Sequence, residues 1–349
     1  MKIQSRLIAL FAISVTMFVS CKNGDVDFPD YDGGITVYFP YQYPVRTLVM
    51  GTDEYDTSVD KEHCCVIQST MGGTYEGRDI TVDVDVDETL CDGLSFSDGS
   101  PVKPMPENYY EFVDGPKLKY DGTRHGKMKV HFTDAFFADP ASATTTYVIP
   151  LVMTSQTGAD QILVGEYDKE AFSTAPVRTS DDWTVRPMDY VLYCVTYKSK
   201  YDAFWSRSGE LTVGNNTVVH PNPDDFASKT DFYDPVVNGE DCQTKTIALN
   251  KVSYVVSYNV NGFSVNNCEL VLTFDDNDNC TIESNTTGVT VTGNGKYTKD
   301  GAVKAWGNKD RDIINLEYVI VKGDQQLKVK DQLVWKRSGV SVEEFMSNE

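Results

Sequence analysis

The sequence predicts an all-β protein: an N-terminal immunoglobulin-like β-sandwich followed by a C-terminal antiparallel, lipocalin-like β-barrel. Three observations predict it. Short runs of alternating apolar and polar residues recur between turn signals, and almost none has helical period. At 349 residues, with 40% hydrophobic and 11% aromatic content, the chain is long enough to bury two cores. A cluster of proline, small polar and acidic residues, TAPVRTSDDWTVRPMDY at 174–190, divides it near the middle.

The first segment is not part of either core. Lys2 and Arg6 precede an apolar stretch from Leu7 to Val19 that ends at Phe18-Val19-Ser20-Cys21. Helix over that stretch spans only about 20 Å, too short to cross a hydrocarbon core of about 30 Å. Charge, apolar run and small residue in that order read as a secretory signal over residues 1–20. The last four residues resemble a bacterial lipobox, with Ser20 at the cleavage position and Cys21 as the lipidated residue. Phe18 stands where leucine is commoner. Residues 21–34, with four acids, four glycines or prolines and little to bury, read as a flexible tether. An acidic stretch so close to Cys21 resembles a surface-export signal of Gram-negative gut bacteria. The expectation is an outer-membrane lipid anchor facing the cell surface, with the periplasmic face as the alternative.

Residues 35–173 form the expected sandwich. Its strands are Ile35–Phe39, Val45–Met50, His63–Ser69, Asp79–Asp87, Lys127–Phe132 and Thr146–Met153. In the fourth, Ile80, Val82, Val84 and Val86 alternate with acids and are placed inward. Residues 174–188 are read as linker and 189–349 as barrel. The barrel strands are read as Tyr190–Tyr197, Ser208–Val213, Val252–Val260, Glu269–Phe274, Cys280–Ser284, Val289–Thr292, Ile313–Val321 and Gln326–Trp335. Asp-Asn-Asp-Asn at 276–279, Asn294-Gly295 and Gly323-Asp324 supply hairpin turns. A meander of eight strands has unpaired edges unless it closes, which argues for an up-and-down barrel. The tail at 341–349 is expected to add one helical turn.

Charge narrows the partners. The formal charge is −21, and loss of Lys2 and Arg6 with residues 1–20 takes the mature chain near −23. Such a body repels phosphate backbones and anionic headgroups, so nucleic acid is excluded and membrane contact is left to the lipid anchor. Besides Cys21 there are seven cysteines, an odd number with no C-x-x-C, so no disulfide framework is expected. If Asn277 centres its hairpin, Cys280 faces Phe274 and not Cys268.

Catalytic and metal motifs are absent from the pattern. There is no G-x-S-x-G elbow, and 52 acids make a facing carboxylate pair unavoidable by chance. His125 and His131 lie about 20 Å apart on one strand, too far to share a metal. Counting an EF-hand from Asp275 places Cys280 and Thr286 where Gly and Glu belong, so the loop reads as a solvated turn. No catalytic residue, metal ligand or cofactor is assigned. Sugar recognition suits the composition better, because flat C–H faces of sugars dock on aromatic rings while hydroxyls seek polar side chains. Two stretches combine these groups: Trp306, Asn308, Asp310 and Arg311 in one loop, and Tyr201, Trp205 and Arg207 in another. These seven are the candidate glycan-binding residues. Trp183 is expected to pack at the linker and Trp335 in the core.

The stretches VYFPYQYPVRTL at 37–48, HCCVIQSTMGGTYEGRDITVDVDV at 63–86, DGSPVKPMPENYYEF at 98–112 and FTDAFFADPASATTTYVIPLVMTS at 132–155 resemble a domain of unknown function. That domain occurs in exported lipoproteins of gut bacteria, near Sus-type glycan importers. The second half, from DDWTVRPMDYVLYCVTYKSKY to DQLVWKRSG, is similar to the calycin-like barrel that accompanies it. Relatives carry Arg-Arg-Gly where this chain has Ser206-Arg207-Ser208-Gly209. The resemblance implies a non-catalytic surface lipoprotein that captures or presents extracellular glycan for a Sus-type importer complex. Other readings are a calycin-like binder of a small apolar ligand, an unrecognised glycoside hydrolase, and a structural subunit of a surface complex.

Overall fold

The first strands are short because prolines punctuate them. β1 (Thr36–Tyr38) stops before Pro40, and β2 (Pro44–Val49) starts at the second proline of the PYQYP turn. The computed structural model describes residues 34–50, 58–73, 77–221, 239–338 and 343–345. Cys21, the signal segment and nearly all of the tether lie outside the described residues.

The sandwich continues through β3 (Cys64–Gly72), β4 (Thr81–Val86), β5 (His125–Phe132) and β6 (Tyr147–Thr157). One hydrogen-bonded sheet folds back on itself. β1, β3 and β5 form one layer, and the short strand Lys117–Lys119 passes the pairing on to β4 and β6 in the other. Val37, Ile67 and Val130 from the first layer meet Val82, Ile149 and Leu151 from the second in one core. Ile80, Val82 and Val84 point inward as their alternation predicts, but Val86 is 40% exposed. It stands at the strand end, beside a cleft with Met105 and Tyr110.

The strand β7 (Tyr190–Lys198), expected to open the barrel, belongs to the sandwich instead. It pairs antiparallel with β6 and parallel with β2. Its run YVLYCVTY is buried at every position, the signature of a strand covered on both faces. Val191, Tyr193, Val195 and Tyr197 enter the sandwich core, while Tyr190, Leu192 and Cys194 face a second cluster roofed by Leu90, Cys91, Phe96 and Val102. A barrel strand would bury one face only.

The barrel closes with another strand in that place. β8 (Phe204–Val213) is followed by β9 (Asn216–His220), β10 (Glu240–Ala248), β11 (Lys251–Val260) and β12 (Phe263–Phe274). β13 (Asn279–Ser284), β14 (Thr290–Ala302), β15 (Arg311–Lys322) and β16 (Gln325–Arg337) complete it. β8, β10 and the strands from β11 to β16 pair in sequence, and β8 closes on β16 from Phe204↔Arg337 to Val213↔Leu327. Gly209 sits on this seam opposite Asp331, and a Cβ there would lie 2.0 Å from the Lys330 carbonyl oxygen. Only glycine admits that approach. The hairpin register sets Phe274 opposite Cys280, as expected. All seven described cysteines are free thiols, six of them buried and Cys242 half-buried.

The tail does not form the expected helical turn where it is described: β17 (Glu343–Phe345) pairs antiparallel with β2. The two domains also meet at Ser199, which donates its backbone N–H to Thr246 Oγ1 at 3.0 Å and its hydroxyl to the Leu249 carbonyl at 2.8 Å.

Candidate functional site

Tyr201, Trp205 and Arg207 are drawn into the barrel by alternation along the chain entering and forming β8. Trp205 is fully buried, and its indole N–H donates to Thr244 Oγ1 at 2.8 Å. Tyr201 stacks on Phe274 at 3.6 Å between ring centroids and donates to Asp278 at 2.6 Å. Burial, then that carboxylate, pushes its hydroxyl pKa up. Neither ring offers a face to a solvent-borne ligand, which corrects the expectation of an aromatic platform here.

Arg207 is buried as well. Its Nε donates to Asp331 Oδ2 at 3.1 Å and its Nη1 to Glu240 Oε2 at 3.0 Å, with the guanidinium 4.7 Å from the Tyr258 ring centroid. Tyr258 and Tyr318 both donate to Asp331 Oδ2, at 3.2 and 2.8 Å. Burial opposes the guanidinium charge, but Tyr254, Asp331 and Tyr258 around it outweigh burial and hold it protonated. Burial drives the hydroxyls of Tyr254, Tyr258 and Tyr318 in the same upward direction. Among the described residues, Arg207 Nη2 and Asp331 Oδ1 have no hydrogen-bond partner. The rest of the interior is filled by its own side chains, among them Val256, Phe263, Leu270, Leu272, Ile314 and Leu333. This network organises the barrel centre around a compensated charge pair.

The other predicted group lies apart from these three. Asn308 and Asp310 are exposed in the turn before β15, and Asp310 is engaged by the Lys304 backbone N–H at 2.8 Å. Arg311 sets its guanidinium 5.1 Å from the ring centroid of the half-buried Trp335. The Trp306 side chain lies outside the described residues. Trp183 is half-buried, not between the domains but on the sandwich, with its indole N–H donating to the Val177 carbonyl at 2.9 Å and its ring edge-on to Tyr167. Among the described residues no group of three or more His, Cys, Asp or Glu is placed to hold a metal ion.

A cleft of about 420 Å³ lies against the barrel seam, and a larger one lies on the sandwich. Its volume is about 630 Å³, and three segments wall it: the PYQYP turn, the loop carrying Leu94, Ser95 and Val102, and residues 178–190. Tyr41 is 55% exposed at its rim. Tyr43 and Tyr190 meet hydroxyl to hydroxyl at 3.2 Å with rings edge to face. Gln42 is fixed by its amide donating to the Phe39 carbonyl at 2.7 Å and by its own carbonyl accepting from Leu192 N–H at 2.6 Å. Arg178 clasps the buried Asp189 through Nε and Nη2, at 3.0–3.2 Å. Arg186 pairs with Asp181 at the exposed edge. Burial, then the Tyr43 hydroxyl, raises the Tyr190 pKa, so the phenol stays neutral and available as donor and acceptor.

The segment read as linker is therefore a wall. Phe39 N–H donates to the Met188 carbonyl, Met188 N–H to the Leu163 carbonyl and Met153 N–H to the Asp189 carbonyl, all at 2.7–2.9 Å. The cleft residues were missed because they come from three separated stretches, each of which has a local structural reading. One signal was present: a Tyr-Gln-Tyr triplet between two prolines at the end of a strand, polar and aromatic where a plain turn needs neither.

Comparison with known proteins follows the same division. A family profile described as an N-terminal domain matches residues 31–160, and one described as Domain of unknown function (DUF5627) matches residues 200–339. The second begins just after β7 ends. A crystal structure from Bacteroides ovatus, described as structural genomics of unknown function, is 31% identical with a TM-score of 0.80. The match covers 91% of this chain and 98% of that one. The chain belongs to the same family. No curated protein matches it. In this member of the family, Arg207 and Gly209 of the Ser-Arg-Ser-Gly stretch have structural work, the first in the buried charge pair and the second at the barrel seam.

Proposed function

We propose that this protein is a non-catalytic, lipid-anchored lipoprotein of the outer membrane that binds extracellular glycan through its sandwich domain and presents it to a Sus-type importer. The lipobox at Cys21 and the acidic stretch after it support anchoring and surface exposure. The observation that carries the binding reading is the cleft between the PYQYP turn and residues 178–190. Its volume lies within the range of small-molecule sites, about 300–1,000 Å³. It combines an exposed tyrosine ring, two further phenols, an amide and two compensated arginines, the mixture that sugar faces and hydroxyls require. The barrel, whose interior is occupied by its own side chains, is the scaffold in this reading.

Affinity gel electrophoresis against a panel of host and plant polysaccharides tests it. The wild-type chain is retarded by at least one polysaccharide, and Tyr41→Ala combined with Arg186→Ala abolishes the retardation. Equal mobility in every gel contradicts the reading.

A further inference from the structure

The sandwich cleft has a neighbour. A second cleft of about 340 Å³ lies on the other side of the PYQYP turn and shares Pro40 and Tyr41 with the first. Val66, Gln68 and Thr70 of β3, His125 at the start of β5 and Val191 of β7 complete it. We propose that the two clefts form one groove that takes a neutral oligosaccharide chain, with Tyr41 as the platform between two subsites. This deepens the glycan reading and rests on it.

Size and shape point to a chain. Each cleft is large enough for a small ligand, and the ridge that separates them consists of two exposed rings, those of Pro40 and Tyr41. A sugar crossing that ridge lays its C–H face on Tyr41, while its neighbours descend into the two clefts on either side. The subsites differ in character. The first offers guanidinium, carboxylate, phenol and amide groups; the second offers the exposed Gln68 amide and His125 imidazole beside Val66 and Val191. A single sugar gains from one of them. A chain gains from both, and linking the two contacts adds affinity without a new type of contact.

Charge selects against acidic glycans. Arg178 is held bidentate by Asp189, and Arg186 is paired with Asp181, so neither cation is left uncompensated for a carboxylate or sulfate. The chain as a whole carries −21 and repels anions at a distance.

The test is a calorimetric titration with size-graded oligosaccharides, from two to six units, cut from a neutral polysaccharide that the protein retains. Affinity is expected to rise about tenfold or more with length and then level off. Gln68→Trp, at an exposed position of β3, is expected to remove that gain and leave the shortest ligand's affinity unchanged. His125→Trp repeats the obstruction from β5, and thermal melting checks that both variants fold. Tyr41→Ala weakens every length. Affinity independent of length, or a wild-type length gain in both obstructed variants, overturns the two-subsite groove and leaves single-cleft glycan binding standing. Preference for a uronate-bearing or sulfated chain over the neutral one overturns the assigned ligand class. Absence of binding to any glycan overturns the groove and the functional reading together.

Discussion

The sandwich cleft and the barrel centre both gather arginine, carboxylate and tyrosine, yet they use them in opposite ways. In the cleft the ion pairs sit at or near the surface: Arg178 is one-third exposed and Arg186 two-thirds. Tyr41 there is exposed and Tyr43 half-buried, with the buried Tyr190 behind them. In the barrel Arg207 and Asp331 are sealed, and Tyr258 and Tyr318 spend their hydroxyls on Asp331. The same residue types therefore make a binding surface in one place and an internal brace in the other. Solvent access, not composition, decides which.

The largest expected effect tests the brace. Asp331→Ala strands a buried guanidinium with only the half-exposed Glu240 as partner, and should cost the barrel about 3–5 kcal/mol. Denaturant unfolding, followed by the fluorescence of the buried Trp205, measures it. Replacing both partners with apolar residues, Arg207→Met with Asp331→Leu, should recover most of the loss, because two well-packed apolar groups leave no unpaired charge. Equal loss in the single and double variants would show that packing, and not the pair, matters there.

Gly209→Val comes next. Its branched side chain must push the Lys330 backbone away across the closing seam, at a cost of about 1–3 kcal/mol. Thermal unfolding reads it, with the sandwich cleft unaffected.

A smaller effect depends on pH. The hydrogen bond with His220 at 2.8 Å, and after it the Arg207 charge, hold the Glu240 carboxyl below its usual range against the cost of burial. Its folded pKa is thus lower than its unfolded one. The stabilisation is present above the unfolded value, about 4.3, and is lost as pH falls through the folded value. Glu240→Gln should be less stable than wild type at neutral pH, and the gap should close under acid. A gap constant with pH would remove the carboxylate from the account. The smallest effect is expected on the cleft side: Tyr41→Ala should change stability by no more than about 0.5 kcal/mol, since the ring is mostly exposed.

Most of the fold was legible because alternation is a local property. β4, β12, β15 and β16 carry it clearly. β10 was missed because its inward positions are Cys242, Thr244 and Thr246, which read as polar on both faces. Inside the barrel Thr244 accepts from Trp205, and Thr246 engages Asp202 through both its backbone N–H and its hydroxyl, so the polar row is satisfied. β7 reads by its position as the first barrel strand, although its unbroken apolar run is the available sign of burial on two faces. The aromatic-polar stretch Tyr201–Arg207 was visible, but no sequence pattern tells an outward tryptophan from one hydrogen-bonded in a core. The cleft was illegible as a unit, because Tyr41, Ser95 and Arg186 converge only through the pairing of β2 with β7 and the folding of residues 178–190 onto the sheet.

Hydrogen exchange of the full chain, with and without a saturating neutral oligosaccharide from a retained polysaccharide, tests most directly where the ligand goes. Slower exchange confined to the two sandwich clefts, at residues 39–44, 66–70, 94–102, 125 and 178–193, with the barrel strands unchanged, is the predicted result. Protection appearing in β8, β11 or β16 while the PYQYP turn stays unaltered would place the ligand in the barrel and contradict the account.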